Sequence, residues 1–412
     1  MKKRVSCLIL FSACTLTGMA SVQVASVFTA DMVLQRERAV PVWGTGTVGE
    51  AVQVTFGGQT KSTTVGSDGK WRVNLDAMPA SAVEQELVAT GSNTITLSGI
   101  LVGDVWLAAG QSNMKWRLNQ CIDYQVISAS AGNSLIRLLN IPKKVAAEPQ
   151  DAIDAFWEVC SSATAEPFSA IGVIFALKIQ PEIGVPVGVV SINDGSTSVE
   201  CWVSNETIRD PVFASTMVTW DDFIDNWETT SKPDLLLGRL NKHISSSSTA
   251  AAYDMPHPSV STRIYPTGCY NAMLAPLMPM AAKGVLWRQG EANTPRAAQY
   301  RDLMPELVAE WREKFENPEL PFIQGQLPEW GDVSSAEMRE SQYLLTQTET
   351  NVQLVVLIDE DTGGNVHTPN KQIDGSRMGD MALATVYGQS IPHQGPIYSG
   401  MLVEGGSIRL SF

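Results

Sequence analysis

The stretch LVGDVWLAAGQSNM, Leu101 to Met114, decides the fold class. Apart from Asp104, its first nine residues are apolar without a helical or alternating period, and Gly110 closes the run. A continuous apolar run of this length fits a strand buried on both faces of a parallel sheet. Such a strand delivers whatever follows it to the carboxyl edge of the sheet, where open α/β folds collect their chemistry. Here that is Ser112, held between Gln111 and Asn113.

The same pattern recurs down the chain. LIRLLNI, PVGVVSI, KGVLWRQ, LPFIQGQ and VQLVVLI are short Val-, Ile- and Leu-rich runs separated by longer helical patterns. They predict a doubly wound, mainly parallel α/β domain over residues 100–390. One intervening helix is explicit. Thr294 is placed to cap it and Pro295 to open it, and Ala297, Tyr300, Met304, Leu307, Val308, Trp311 and Phe315 form its apolar stripe, with a kink expected at Pro305. Residues 204–261, with WDDF, NWETT and SSSST, break the alternation and read as an insertion at the rim of a binding site.

Upstream of the deciding stretch the period is two. VQVTF alternates at Val52, Val54 and Phe56, WRVNL at Trp71, Val73 and Leu75, and GG, SDG and GSN punctuate them. Residues 21–99 are therefore expected to form an antiparallel β-sandwich. Residues 391–412, which include IYSGMLVEGGSIRLSF, return to alternation and read as the start of a C-terminal β unit that stops short.

Residues 1–20 carry Lys2, Lys3 and Arg4, then the apolar run VSCLILFSACTLTG and the small residues Gly18 and Ala20. This is the pattern of a secretory signal, and the run is too short to span a bilayer. The expectation is export to the periplasm or the extracellular space. Loss of the three cations would take the formal net charge from −14 to −17, which argues against nucleic acid or an anionic membrane as partner. No later segment is long and apolar enough to span a membrane, and nothing in the sequence sets the oligomeric state. Cys121, Cys160, Cys201 and Cys269 fit no zinc or redox spacing; one or two disulfides and buried free thiols are equal alternatives.

The polar residues at the ends of the expected strands make a short set. Gln111, Ser112 and Asn113 follow the first, and Asn193 to Thr197 follow PVGVVSI. Gln289, Glu291 and Asn293 follow KGVLW, and Asp359, Asp361 and His367 follow VQLVVLI. A Ser hydroxyl needs a neutral imidazole to take its proton, and the tetrahedral oxyanion needs preorganised donors. Of the four His, His243 lies in the polar insertion and His257 and His393 in Pro-flanked loops. His367 alone joins a core strand to a helix, and is the candidate base. No cluster has metal-ligand spacing. Each residue also has a plain structural reading: Ser112 as an N-cap, Gly195 as a turn, Gln289 and Glu291 as a polar strand end.

GDVWLAAGQSNM, Gly195-x-Thr197 with Glu200 and Trp202, KGVLWRQGEAN and VHTPNKQ resemble the sialate O-acetylesterase family of SGNH hydrolases. VFTADMVLQR, VPVWGTG, FSAIG, YNAML and GPIYSGM extend the resemblance over nearly the whole mature chain. It implies Ser112 as nucleophile, His367 as base, and an oxyanion hole from the backbone N–H groups of Ser112 and Gly195 with Gln289, or alternatively Asn293. Gln111, Asn113, Glu291 and Arg288 are expected to brace the site or bind substrate. The implied substrate is an O-acetylated sugar or glycan, sialic acid or a related sugar, with no cofactor. An acetylxylan or hemicellulose acetylesterase and a catalytically inactive carbohydrate-binding protein are the alternatives. Three departures stand out. Gly364 occupies the position where such enzymes often place the acid three residues before the base, which leaves Asp359 or Asp361 for that role. Asp194 and Arg288 replace aromatic residues common in the family.

Overall fold

A computed structural model describes residues 21–210, 213, 266–329, 334–360 and 364–412. The expected insertion, with His243 and His257, lies almost wholly outside the described residues, as do Asp361 and the signal-like segment.

The apolar runs form the strands expected of them. The deciding stretch belongs to β8 (Thr94–Gly110), and the later runs give β9 (Asn133–Asn140), β11 (Val187–Asn193), β12 (Gly284–Arg288), β13 (Phe322–Gly325) and β14 (Val352–Val355). Between β9 and β11 a short strand that carries no such run, β10 (Trp157–Cys160), pairs antiparallel with β9 at the sheet edge. The spatial order is β10-β9-β11-β8-β12-β13-β14, and every pair except the first is parallel. Strand β8 is central, flanked by β11 and β12, and the chain order reverses across it.

Side chains leave these strands alternately toward two apolar layers. Trp106, Ala108, Leu286 and Ile323 join one cluster with Ile171 and Phe175 of α1 (Ala170–Ile183) and Met378 of α2 (Lys371–Thr385). Leu107, Ala109, Val285, Trp287 and Phe322 join the other with Leu307, Val308 and Trp311 of α3 (Ala297–Lys314). Both faces are covered, so the strands lack polar alternation because neither face meets water. Helix α3 has the expected stripe and contains Pro305, but it starts at Ala297; Glu291–Arg296 forms a 3-10 segment before it. Thr294 Oγ1 donates to Glu291 O within that segment.

The N-terminal strands are β1 (Gln23–Val24), β2 (Val33–Gln35), β3 (Val40–Thr45), β4 (Ala51–Phe56), β5 (Gln59–Thr64), β6 (Lys70–Leu75) and β7 (Ser81–Thr90). Strands β1, β3 and β6 form one antiparallel sheet; β5, β4 and β7 run on through β7 into β8, and β2 pairs parallel with β8. The two groups of strands share one core, with Val42, Trp71 and Val73 of the first and Val54, Phe56 and Leu87 of the second. One strand thus spans the change of period seen in the sequence. Residues 94–99 of β8 alternate between exposed and half-buried, and every residue from Ile100 to Gly110 is buried.

Met401, Leu402, Ile408 and Leu410 of the terminal hairpin β15 (Gly400–Glu404) and β16 (Ser407–Ser411) are exposed. Cys121, Cys160, Cys201 and Cys269 are buried, and none of them is in a disulfide. Among the described residues no helix is long and apolar enough to cross a membrane.

Gly110 fixes how β8 delivers the residues that follow. Its φ is +138°, and a Cβ there would lie 2.2 Å from Arg288 O, the carbonyl that accepts Gln111 N–H at 3.0 Å. Backbone strain of this kind costs about 1–3 kcal/mol before the clash is counted. Gly110→Ala is therefore expected to lower the unfolding free energy from urea titration by at least that amount and to displace Ser112; an unchanged midpoint would contradict the close β8–β12 approach.

Candidate active site

The carboxyl ends of β8, β11, β12 and β14 bring most of the expected residues together. Ser112 is the first residue of a single helical turn, Ser112–Lys115, with Gln111 before it. Gly110 pairs with Asn193 on one side and Arg288 on the other, and Asp194 N–H donates to Gly110 O. The ends of β11 and β12 are thereby locked to the Ser112 turn. Gly195 sits against it, since a Cβ there would lie 3.5 Å from Ser112 Cβ.

Asn113 joins three segments at once. Its Nδ2 donates to Glu291 Oε1 at 2.6 Å and to Val366 O at 3.0 Å, and its Oδ1 accepts from Lys371 Nζ at 2.8 Å. The residue after Ser112 is thus bonded to the residue before His367, which makes the two backbones neighbours. Below Asn113 lies a buried ionic layer. Arg288 Nε donates to Asp374 Oδ1 at 3.1 Å, and its Nη1 donates to Glu291 Oε1 at 3.0 Å. Burial alone would raise Asp374, but the Lys371 and Arg288 cations outweigh it and hold the carboxyl below its ordinary range. Burial, with Asp374 alongside, pushes Glu360 up to about 8, so at neutral pH it keeps a proton and shares it with Asp374. Two adjacent buried carboxyls carry one charge between them.

Four residues expected to reach substrate or brace the site are all buried, and their polar groups are turned on one another. Gln111 Oε1 accepts from Gln289 Nε2, Gly290 N and Ala292 N. Asn113, Glu291 and Arg288 form the layer just described. Arg288 is 0% exposed, so it belongs to the foundation of the site and not to a sugar-binding surface. The reason is electrostatic: a guanidinium flanked by two carboxylates can be buried, and the Cβ-free Gly325 leaves room for its Cδ.

The two side-chain amides differ in the same way. Gln289 Nε2 faces three acceptors, Gln111 Oε1, Thr197 O and Asn293 Oδ1, which exhaust its two hydrogens. Asn293 Nδ2 donates to Glu200 Oε2 at 3.0 Å, which uses one of two. Of the pair, Asn293 therefore retains donor capacity and Gln289 does not. Gly195 N–H currently donates to the side chain of Asp194, at Oδ1 and 2.8 Å, and Lys115 Nζ lies 3.3 Å from the same oxygen.

His367 is half-buried and its ring stacks on Trp116, with centroids 5.5 Å apart and planes at 21°. Trp116 was not among the residues singled out from the sequence; its place four residues after Ser112 was the available signal. Burial pulls His367 below its ordinary pKa; Glu291 opposes this and the Lys371 and Arg288 cations reinforce it, so the imidazole is neutral at pH 7. Among the described residues no side chain hydrogen-bonds the ring. Asp359, one of the two candidate acids, is instead held by Arg377 through two 2.7 Å bonds. Both line a separate groove of about 920 Å³, which contains neither Ser112 nor His367. His393 Nδ1 contacts Ile391 O.

Comparison with known proteins agrees with this geometry. A family model described as carbohydrate esterase, sialic acid-specific acetylesterase, matches residues 261–383. The match contains Arg288, Gln289, Glu291, Asn293 and His367. Sialate O-acetylesterase of Mus musculus is 28% identical over 426 residues, covering 92% of this chain and 77% of the relative. That of Homo sapiens is 26% identical over 433 residues, covering 94% and 76%. Among solved structures, a carbohydrate acetylesterase from Xanthomonas citri superposes with a TM-score of 0.78 at 27% identity, covering 94% of this chain and 81% of that one. The likeness read from GQSNM and QGEAN thus holds in family model, relatives and fold alike: the chain resembles the sialate O-acetylesterases over nearly all its length, and it is an esterase.

Proposed function

We propose that the chain is an exported carbohydrate esterase that removes O-acetyl groups from sialic acid or a related acetylated sugar through a Ser112–His367 acyl-enzyme. The reading takes residues 1–20 as its signal segment, 21–99 as a β-sandwich, 100–390 as an SGNH-type catalytic domain, and 391–412 as a separate β segment. One observation carries the chemistry: Asn113 ties the Ser112 turn to the loop that presents a neutral His367.

In the first half-reaction Ser112 Oγ attacks the acetyl carbonyl carbon while His367 takes the hydroxyl proton. The oxyanion is met by the backbone N–H of Ser112, by Gly195 N–H once Asp194 Oδ1 releases it, and by the remaining Asn293 Nδ2 hydrogen. Collapse breaks the ester C–O bond, and His367 returns the proton to the departing sugar oxygen. In the second half, His367 takes a proton from water, the hydroxide attacks the acyl carbon, and cleavage releases acetate and restores Ser112 Oγ–H. The Trp116 stack holds the imidazole plane, a task that an acid performs in a full triad.

Acetate release from p-nitrophenyl acetate and from O-acetylated sialic acids should fall by at least about 10³-fold in Ser112→Ala. Equal rates in wild type and variant would remove the nucleophile assignment. Binding of acetylated glycans without hydrolysis by the wild type would favour the inactive binding protein, and a preference for acetylated xylan would favour the hemicellulose enzyme.

The pH profile is a separate test. His367 must be neutral to accept a proton, so kcat/KM should rise with pH and level off above its pKa, with the midpoint of the acid limb below 6.5, the ordinary value. Glu291 is the one neighbour that raises this pKa, so Glu291→Gln should move the acid limb to still lower pH. A shift in the opposite direction would contradict the arrangement.

A further inference from the structure

A group of cations stands beside the nucleophile and takes no part in the acyl transfer above. Lys115 closes the helical turn that Ser112 opens. Its Nζ is 3.6 Å from the point where a Cβ on Gly195 would sit, and Ser112 Cβ is 3.5 Å from that same point. The ammonium and the nucleophile are therefore within the span of one sugar and its substituents. Lys143, in the segment after β9, lies close enough to Lys115 for the two positive charges to act on each other, and Arg117 adds a third positive charge to its surroundings. Against these stands one acid, Asp194, which is 5% exposed and shares its Oδ1 between Lys115 and Gly195 N–H.

This arrangement is unusual for the chain that holds it. The protein carries a formal charge of −14, yet Lys115, Lys143 and Arg117 gather with Asp194 beside the Ser112 turn. Two ammonium groups brought together repel, and the cost shows on Lys143, which burial and the neighbouring Lys115 push down to about 8. An anionic group placed between them would relieve that repulsion and receive charge-assisted hydrogen bonds from both. The single charge of Asp194 acts on both lysines and so offsets only one of them.

We infer that Lys115 and Lys143 form a carboxylate-reading subsite beside the nucleophile, which selects an acetylated sugar acid over a neutral acetylated sugar. This rests on the esterase reading of Ser112 and adds the basis of its substrate choice. The subsite binds a carboxylate on the same sugar whose acetyl ester lies against Ser112 Oγ. Lys115 and Lys143 are specificity residues; neither exchanges a proton with the reacting atoms.

The test compares kcat/KM for acetate release from an O-acetylated sialic acid and from its methyl ester, which keeps the shape and removes the charge, with p-nitrophenyl acetate as a third substrate. The wild type should prefer the free acid by about tenfold or more, mostly through KM, and the preference should shrink as ionic strength rises. Lys143→Gln should bring the ratio of the two sugar substrates close to one, and Lys143→Arg should keep most of it. Equal rates for acid and methyl ester in the wild type, or an unchanged ratio in Lys143→Gln, would overturn the subsite while leaving the esterase reading intact. Hydrolysis of p-nitrophenyl acetate with no release from either sugar would overturn the carbohydrate reading and the subsite together.

Discussion

The buried Arg288 guanidinium is the constraint on which the site depends. It sits at the end of β12, fully enclosed, and holds Asp374 of α2 with one nitrogen and Glu291 of the following loop with another. A buried charge is tolerated only with such partners, and breaking a pair of this kind costs about 3–5 kcal/mol. Glu291 in turn accepts from Asn113, and Asn113 reaches Lys371 and the Val366 carbonyl. Sheet, helix, nucleophile turn and base loop are therefore joined through one chain of charge-assisted bonds. A shift of β12 would be felt at Ser112 and at His367 together.

This layout separates foundation from working surface. Gln111, Asn113, Gln289, Glu291 and Arg288 are buried, bond to internal partners and lie below the site. Ser112, Lys115, Trp116 and His367 keep partial exposure above it. The proposed oxyanion donors lie at the boundary. Gly195 N–H donates to Asp194 Oδ1, so an oxyanion at that donor would have to compete with the carboxylate.

The sequence made the parallel sheet legible because continuous apolar runs have few other uses in a chain of this length, and the runs around Leu107, Val189, Leu286, Ile323 and Val352 each became a strand. The cluster of groups at the strand ends was legible for the same reason: Ser112, Gly195, Gln289 and His367 each follow such a run. Their individual roles were less so. A side-chain amide at a strand end looks alike whether its hydrogens face a substrate or a neighbouring carbonyl, and only three dimensions showed Gln289 saturated and Asn293 not. Whether Arg288 braces the site or binds substrate was not legible, because its partner Asp374 is distant in sequence and Glu291 is unremarkable there. Strand β10 and the Trp116–His367 stack had no periodic signal. The expected start of α3 at Thr294 yielded to a 3-10 turn because Glu291 is anchored by Arg288 and Asn113, which fixes the loop before the helix can begin.

The central claim is that Asn113 sets Ser112 against His367 in a reactive geometry. Labelling by a phosphonofluoridate, which traps an activated serine, followed by intact mass and peptide mapping, tests it most directly. The account predicts one equivalent of label on Ser112 in the wild type and labelling at least about 10²-fold slower in Asn113→Ala, since a small displacement of a reacting group costs about that factor. Label on another residue, or an Asn113→Ala variant that reacts at the wild-type rate, would contradict it.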